Sequence, residues 1–266
     1  MLAGNPWSVG YVLWSVNELG ASFAFPFRHP AWLGRLLVGA SLEVVPVLLA
    51  LPTILSLLHA RHRPTFHQLA VLPIAIVVGL VCRFLVLGYL RRTARGILDG
   101  ASGLPAWDHM GEDIVEGLGL WLVALALWLP AVAVTAGLTL LVIALTSPAM
   151  AWLPIVLVGT PAALVTLFYL PAGLLATIAE DHLGAAFGFD RVTEVIGRAF
   201  GPYALAFLIA IGAEILAQFG LLVCCVGIFA TRFAAHCVAV HAFSEAYRQG
   251  ALPAPAASAP VPPVPA

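Results

Sequence analysis

The sequence predicts an all-α fold, a polytopic membrane helix bundle of about six transmembrane helices with amphipathic helices on its cytoplasmic face. Three observations carry that expectation. The 266 residues are 62% apolar and only 9% charged, whereas a soluble domain carries roughly 25% charged residues. Mean hydropathy is +1.02, so there are too few charges to coat a water-soluble globule of this size. The apolar residues also gather into runs of about 20, enough to cross a ~30 Å hydrocarbon core at ~1.5 Å per residue. The same composition excludes a disordered chain. With 12 basic against 13 acidic residues, no nucleic-acid partner is expected; the expected surroundings are the lipid bilayer, with a protein partner or a second copy of the chain as the open options.

The first span is expected from Leu36 to Leu58, before His59-Ala60-Arg61-His62-Arg63-Pro64. The second runs from Leu69 to Leu90, where Arg91 and Arg92 should stop it. The third covers Leu118 to Thr146 and ends at Ser147-Pro148. The fourth, Trp152 to Ile178, holds Pro154, Pro161 and Pro171 and should be kinked, which neighbouring helices can tolerate. The block from Tyr203 to Tyr247 is too long for one span and divides near Gly220, giving six.

Arginine placement sets the orientation. With both termini cytoplasmic, that side holds Arg28, Arg35, Arg91, Arg92, Arg95, Arg191, Arg198 and Arg248, and the outer loops hold Arg61 and Arg63. That asymmetry follows the positive-inside bias and predicts a multi-pass protein of the cytoplasmic membrane. All basic residues are Arg and none is Lys, a coding bias that fits a prokaryote. The first cation is Arg28, so no cleaved signal peptide is expected.

Residues 1–250 are expected to form one integral membrane domain, and 251–266 a disordered Pro/Ala-rich tail. Phe23, Phe25, Phe27 and Trp32, interleaved with Arg28 and Arg35, suit a segment lying among lipid headgroups. Phe189, Val192, Ile196 and Phe200 recur at helical spacing opposite Asp190, Arg191, Glu194 and Arg198, an amphipathic helix on the cytoplasmic face. Phe25-Pro26-Phe27 with Gly34-Arg35 echoes Phe187-Gly188-Phe189 with Gly197-Arg198, a weak duplication relating residues 20–105 and 184–253.

The motif Gly88-Tyr89-Leu90-Arg91, then Leu104-Pro105-Ala106-Trp107-Asp108 before the third span, resembles a prokaryotic membrane family, domain-of-unknown-function family 4013. The opening Ala24 to Leu33 and the close from Val226 to Arg248 are similar to the ends of that family, so the likeness covers about residues 20–248. An acid would be expected before the Trp, where this chain has Ala106. The resemblance implies a membrane fold, and no catalytic residue comes with it.

Four ionisable residues fall inside the expected spans: Glu43, Arg83, Glu214 and Arg232. Each costs about 2.5–3.5 kcal/mol at a span centre on insertion scales, so each needs a partner or a purpose. Counting depth from the span ends pairs Glu43 with Arg83 and Glu214 with Arg232, with Gln218 and His236 one turn further along. The pairs read either as structural ion pairs or as a polar path for a proton, an ion or an anionic headgroup, with Glu214 and His236 as exchangeable sites.

Asp108, Glu112 and Glu116 are spaced to line one helix face, with His109 beside Asp113. A solvated acidic face balancing Arg91, Arg92 and Arg95 is the plainer expectation, and no metal is assigned. Four Cys without a CxxC pair read as core residues. No GxSxG, HExxH or Gly-rich phosphate loop is present, so neither catalytic residue nor cofactor is assigned. The expected function is non-enzymatic: handling a small solute or lipid, or organising a membrane complex. The alternative is an intramembrane enzyme built from dispersed polar residues.

Overall fold

The computed structural model describes residues 19–58, 66–223 and 227–251. Cys224, Cys225, Arg61, Arg63 and the tail from Leu252 onward lie outside the described residues. Every regular element among the described residues is helical: α1 (Trp32–Leu58), α2 (Phe66–Leu98), α3 (Met110–Leu145), α4 (Thr160–Glu180), α5 (Phe189–Arg198), α6 (Phe200–Gln218) and α7 (Gly227–Ala251). Five segments are long and apolar enough to cross a membrane: Trp32–Leu55, Val71–Leu98, Met110–Leu145, Pro148–Glu180 and Phe200–Leu222.

The sixth expected span is α7, and it is more polar, carrying Arg232, His236, His241, Glu245 and Arg248. Its position accounts for that. Helix α7 packs against α1, α2, α4, α5 and α6, so neighbouring helices rather than lipid surround much of it. Phe233 and Cys237 on α7 are completely buried.

Helices overrun the apolar runs. Helix α2 continues past Arg91 and Arg92 to Leu98, and α3 begins at Met110, well before Leu118. Apolar length marks the part inside lipid, whereas good helix formers let the backbone coil continue beyond it. The break near Gly220 falls where expected, with α6 ending at Gln218 and a 3-10 turn over Phe219–Val223. In the proline-rich fourth span, Trp152–Pro154 passes through a π-helical turn, Ile155–Gly159, into α4. The wider turn sits between Pro154 and Pro161, neither of which can donate a backbone hydrogen bond. Asp181 ends α4 in the left-handed region at φ 53°.

Helices α2 and α3 form one of the most extensive contacts in the bundle, and two glycines permit it. A Cβ at Gly88 would collide with the Asp113 carbonyl, and one at Gly117 with the Phe84 carbonyl. Such backbone-to-backbone approach is how membrane helices gain dispersion energy where lipid offers no hydrophobic drive.

The arginines expected on one side collect at one end of the bundle. Arg95 donates to the Ile178 carbonyl at 2.7 Å, Arg191 pairs with Glu180 at 2.7 Å, and Arg91 holds both Glu116 and Asp181. Arg35 donates to the Leu104 carbonyl, and Gly250 near the end of α7 lies against Val195 of α5. Helix α5 is amphipathic as expected: Val192 and Ile196 are buried, Asp190 and Glu194 are exposed, and Phe189 and Phe200 face outward.

The aromatic segment before α1 departs from a headgroup-lying strip. Phe25 is fully buried with its ring 4.6 Å from that of His241, and Ser22 Oγ lies 3.0 Å from His241 Nδ1. Only Phe27 of that aromatic triplet is strongly exposed. The buried histidine gives the segment a polar anchor inside the bundle, which outweighs the interfacial preference of its rings. In the suggested duplication, Gly34-Arg35 lies in the first turn of α1, whereas Gly197-Arg198 closes α5.

Candidate intramembrane polar site and the family clasp

Two polar assemblies stand out, and both use α2. The first is built from the motif residues. Tyr89 stacks on Trp107 with ring centroids 3.8 Å apart and planes 10° from parallel, and its hydroxyl donates to the Pro105 carbonyl at 3.0 Å. Trp107 Nε1 donates to the Arg35 carbonyl at 3.0 Å, and Leu104 is buried. One turn beyond Tyr89, Arg92 reaches Asp108 at 2.7 Å and Asp113 at 2.8 Å.

Asp113 is 1% exposed while Arg92 keeps 23%, so the carboxylate has left water and depends on the guanidinium. Asp108 is outside the spans, and the Arg92 guanidinium holds its carboxyl below the usual carboxylate range. Asp108 precedes α3, so it does not share a helix face with Glu112 and Glu116 as its spacing suggested. The acids turn to arginines instead: Asp108 and Asp113 to Arg92, and Glu116 to Arg91. His109 lies beside Asp113, whose N–H donates to its carbonyl at 2.9 Å, while its ring turns to Glu112 at 3.4 Å and Asp108 at 3.8 Å. The assembly clamps the α2–α3 connection onto the start of α1. Tyr89, Leu104, Pro105, Trp107 and Asp108 thus meet in one set of contacts, with Gly88 at the adjoining α2–α3 approach.

The second assembly lines a half-open cavity of about 280 Å³ between α1, α2 and α7. Glu43 enters from α1, Arg83 from α2, and Arg232 and His236 from α7. The expected pairings are replaced by a different one. His236 sits between the two carboxylates, its Nδ1 3.3 Å from Glu43 and its Nε2 3.5 Å from Glu214. Among the described residues, neither Arg83 nor Arg232 has a carboxylate within 4.0 Å.

The reason is the helix ends. Counted from Trp32, Glu43 lies ~16 Å along α1, and counted from Phe200, Glu214 lies ~21 Å along α6. Those heights differ by only one turn, so a central imidazole reaches both carboxylates. Depths measured from the apolar runs place the two acids in opposite halves of the membrane core instead.

The site is under-satisfied. Glu43 Oε1 and His236 Nδ1 are buried, and neither makes a properly aligned hydrogen bond despite their 3.3 Å separation. Arg83 lies in the electrostatic field of both Glu43 and Arg232. Gln218 turns its amide to the Glu214 carbonyl at 3.4 Å, along its own helix, and takes no part in the cavity. The sequence named His236 only as a neighbour of Arg232; its role as a bridge depends on three helices meeting at one level.

Fold and site together define a multi-pass all-α membrane protein with a half-open polar cavity between its helices. The profile of a family described as "Protein of unknown function (DUF4013)" matches residues 71–226, and the chain belongs to that family. No curated protein matches the chain, and neither does any solved structure. The matched stretch holds the clasp motif, Arg83 and Glu214. It is shorter than the expected likeness over residues 20–248, leaving Glu43, Arg232 and His236 outside it.

Proposed function

We propose that this chain is a non-enzymatic protein of the cytoplasmic membrane that takes a small solute or a lipid headgroup into the cavity between α1, α2 and α7. Both termini face the cytoplasm in this reading, supported by the arginines gathered at one end of the bundle. One observation carries the functional reading: a half-open cavity of about 280 Å³ lined by Glu43, Arg83, Arg232 and His236 between these helices. Ionisable groups at that depth are expensive and mark binding sites or ion paths more often than packing. A purely structural set would pair its charges tightly, as the clasp does.

A screen tests the reading. Anionic, cationic and neutral solutes are offered to wild type, Glu43→Gln and His236→Gln, with thermal shift in detergent and flux into proteoliposomes as readouts. At least one solute class should stabilise or permeate wild type and respond to these substitutions. If no class does so, the site reading is wrong and a packed scaffold is left.

A further inference from the structure

We infer that the group held in this cavity is a phosphate with three free oxygens, either inorganic phosphate or a phosphate monoester headgroup, gripped between Arg83 and Arg232. The inference rests on the reading of the cavity as a ligand site and adds the ligand's chemistry.

The argument begins with the counter-charges. Both carboxylates of the cluster are turned to His236, at 3.3 Å and 3.5 Å. Arg83 on α2 and Arg232 on α7 line the same cavity, and both residues are exposed rather than packed away. Neither makes a hydrogen bond or an ion pair among the described residues. Glu43 attracts Arg83 more than Arg232 repels it, yet neither guanidinium is paired, and the two like charges sharing the cavity still repel each other. An anion between them removes that cost.

Donor geometry selects the anion. Each guanidinium offers a planar fork that binds two oxygens at once. A carboxylate has two oxygens and satisfies one fork. A tetrahedral phosphate with three free oxygens can meet both forks by sharing one oxygen between them. Room is ample, since 280 Å³ far exceeds the ~10–15 Å³ that one water requires. Leu42, Val47, Val86 and Phe229 supply apolar walls, which keep the dielectric low and strengthen charge-assisted bonds.

The full chain in phosphatidylcholine nanodiscs tests the proposal, with four additions in parallel. These are inorganic phosphate, phosphatidic acid, phosphatidylglycerol (a diester with fewer free oxygens) and a neutral or cationic solute from the screen above. Phosphate or phosphatidic acid should bind and raise the melting temperature, and phosphatidylglycerol should bind at least tenfold more weakly. Binding by phosphatidic acid alone makes the source a lipid headgroup, and binding by phosphate alone makes it a free solute. Arg83→Gln/Arg232→Gln should lose at least tenfold in affinity, and Arg83→Lys, which keeps the charge but not the fork, should lose less. Glu194→Ala, on the exposed face of α5, should bind as wild type does.

If a neutral or cationic solute binds with the cavity variants responding while both phosphates fail, the inference falls and the site reading stands. If nothing binds, both fall. Phosphate binding undiminished in the double variant would place the anion elsewhere and overturn the inference.

Discussion

Arg92 and Arg83 stand on the same helix, about two and a half turns apart, and the protein treats them in opposite ways. Arg92 is held by two carboxylates, at 2.7 Å and 2.8 Å, one of them on a residue that is 1% exposed. Arg83 faces a cavity with no carboxylate within 4.0 Å among the described residues. Around Arg92 the neighbouring rings stack and donate to backbone carbonyls. Both places keep buried atoms without an aligned hydrogen bond, Arg92 Nε and Asp113 Oδ1 at the first and Glu43 Oε1 and His236 Nδ1 at the second, so the contrast lies in the ion pairs alone. The same residue type is thus paired with carboxylates at one level and lines a cavity without such a pair at another. What differs is whether the carboxylates nearby are aimed at the arginine or at something else.

The sharpest way to break this contrast is at the clasp. Arg92→Gln should cost about 3–5 kcal/mol, because Asp113 is left buried and charged with no partner. Arg92→Gln/Asp113→Asn should recover part of that loss in thermal unfolding of the detergent-solubilised protein. A single variant as stable as wild type would show that the Asp113 pair contributes nothing to the fold.

Next in size is the helix contact beneath the clasp. Gly88→Ala places a methyl group against the Asp113 carbonyl, and overpacking of this kind costs about 1–3 kcal/mol. Gly137, whose Cβ would meet nothing within 4 Å, makes the control: Gly137→Ala should be neutral or slightly stabilising, since Ala is the better helix former. Equal melting temperatures for the two variants would mean that α2 and α3 are not held at the distance described.

A third test compares the two faces of α5. Ile196 is buried at 8% exposure, so Ile196→Asp loses apolar burial and adds an unpaired charge, a cost of about 2–3 kcal/mol or more. Glu194 is exposed and pairs only with Arg198 along its own helix. Surface pairs of this kind contribute about 0–1 kcal/mol, so Glu194→Ala should barely change folded yield. Similar losses from both would remove the amphipathic assignment.

The bundle was legible because its signal is one-dimensional. Runs of apolar residues mark spans, and the breaks at Ser147-Pro148 and near Gly220 fall where α3 and α6 end. The amphipathic pattern of α5 was legible for the same reason. Depth was not, because apolar runs mark lipid contact while α2 and α3 extend beyond it. Glu43 and Glu214 were therefore assigned to opposite levels, although one imidazole reaches both. The clasp residues were visible as a motif, but Asp113 looked like one surface acid among several; only the α2–α3 crossing buries it. His241 carried no sequence signal beyond its spacing from Phe233 and Cys237 on α7, yet it anchors Ser22 and Phe25.

The smallest expected effect is the one that separates the two arginines most clearly. Arg83→Gln should leave the melting temperature of the ligand-free protein unchanged or slightly raised. The substitution removes no ion pair closer than 4.0 Å and keeps a polar group in the cavity; relief of the guanidinium's desolvation, the largest effect on it, and of the Arg232 repulsion together exceed the lost attraction of Glu43. Natural binding sites commonly sacrifice stability in this way, so neutralising a site charge tends to stabilise the empty state. With an anion present the sign reverses, because wild type then gains binding free energy that the variant cannot, and the gap should widen with ligand concentration. Arg92→Gln should show no such crossover, being less stable than wild type with or without ligand. If Arg83→Gln instead destabilises the empty protein as strongly as Arg92→Gln does, then Arg83 is a structural charge, and the distinction between a closed clasp and an open site fails.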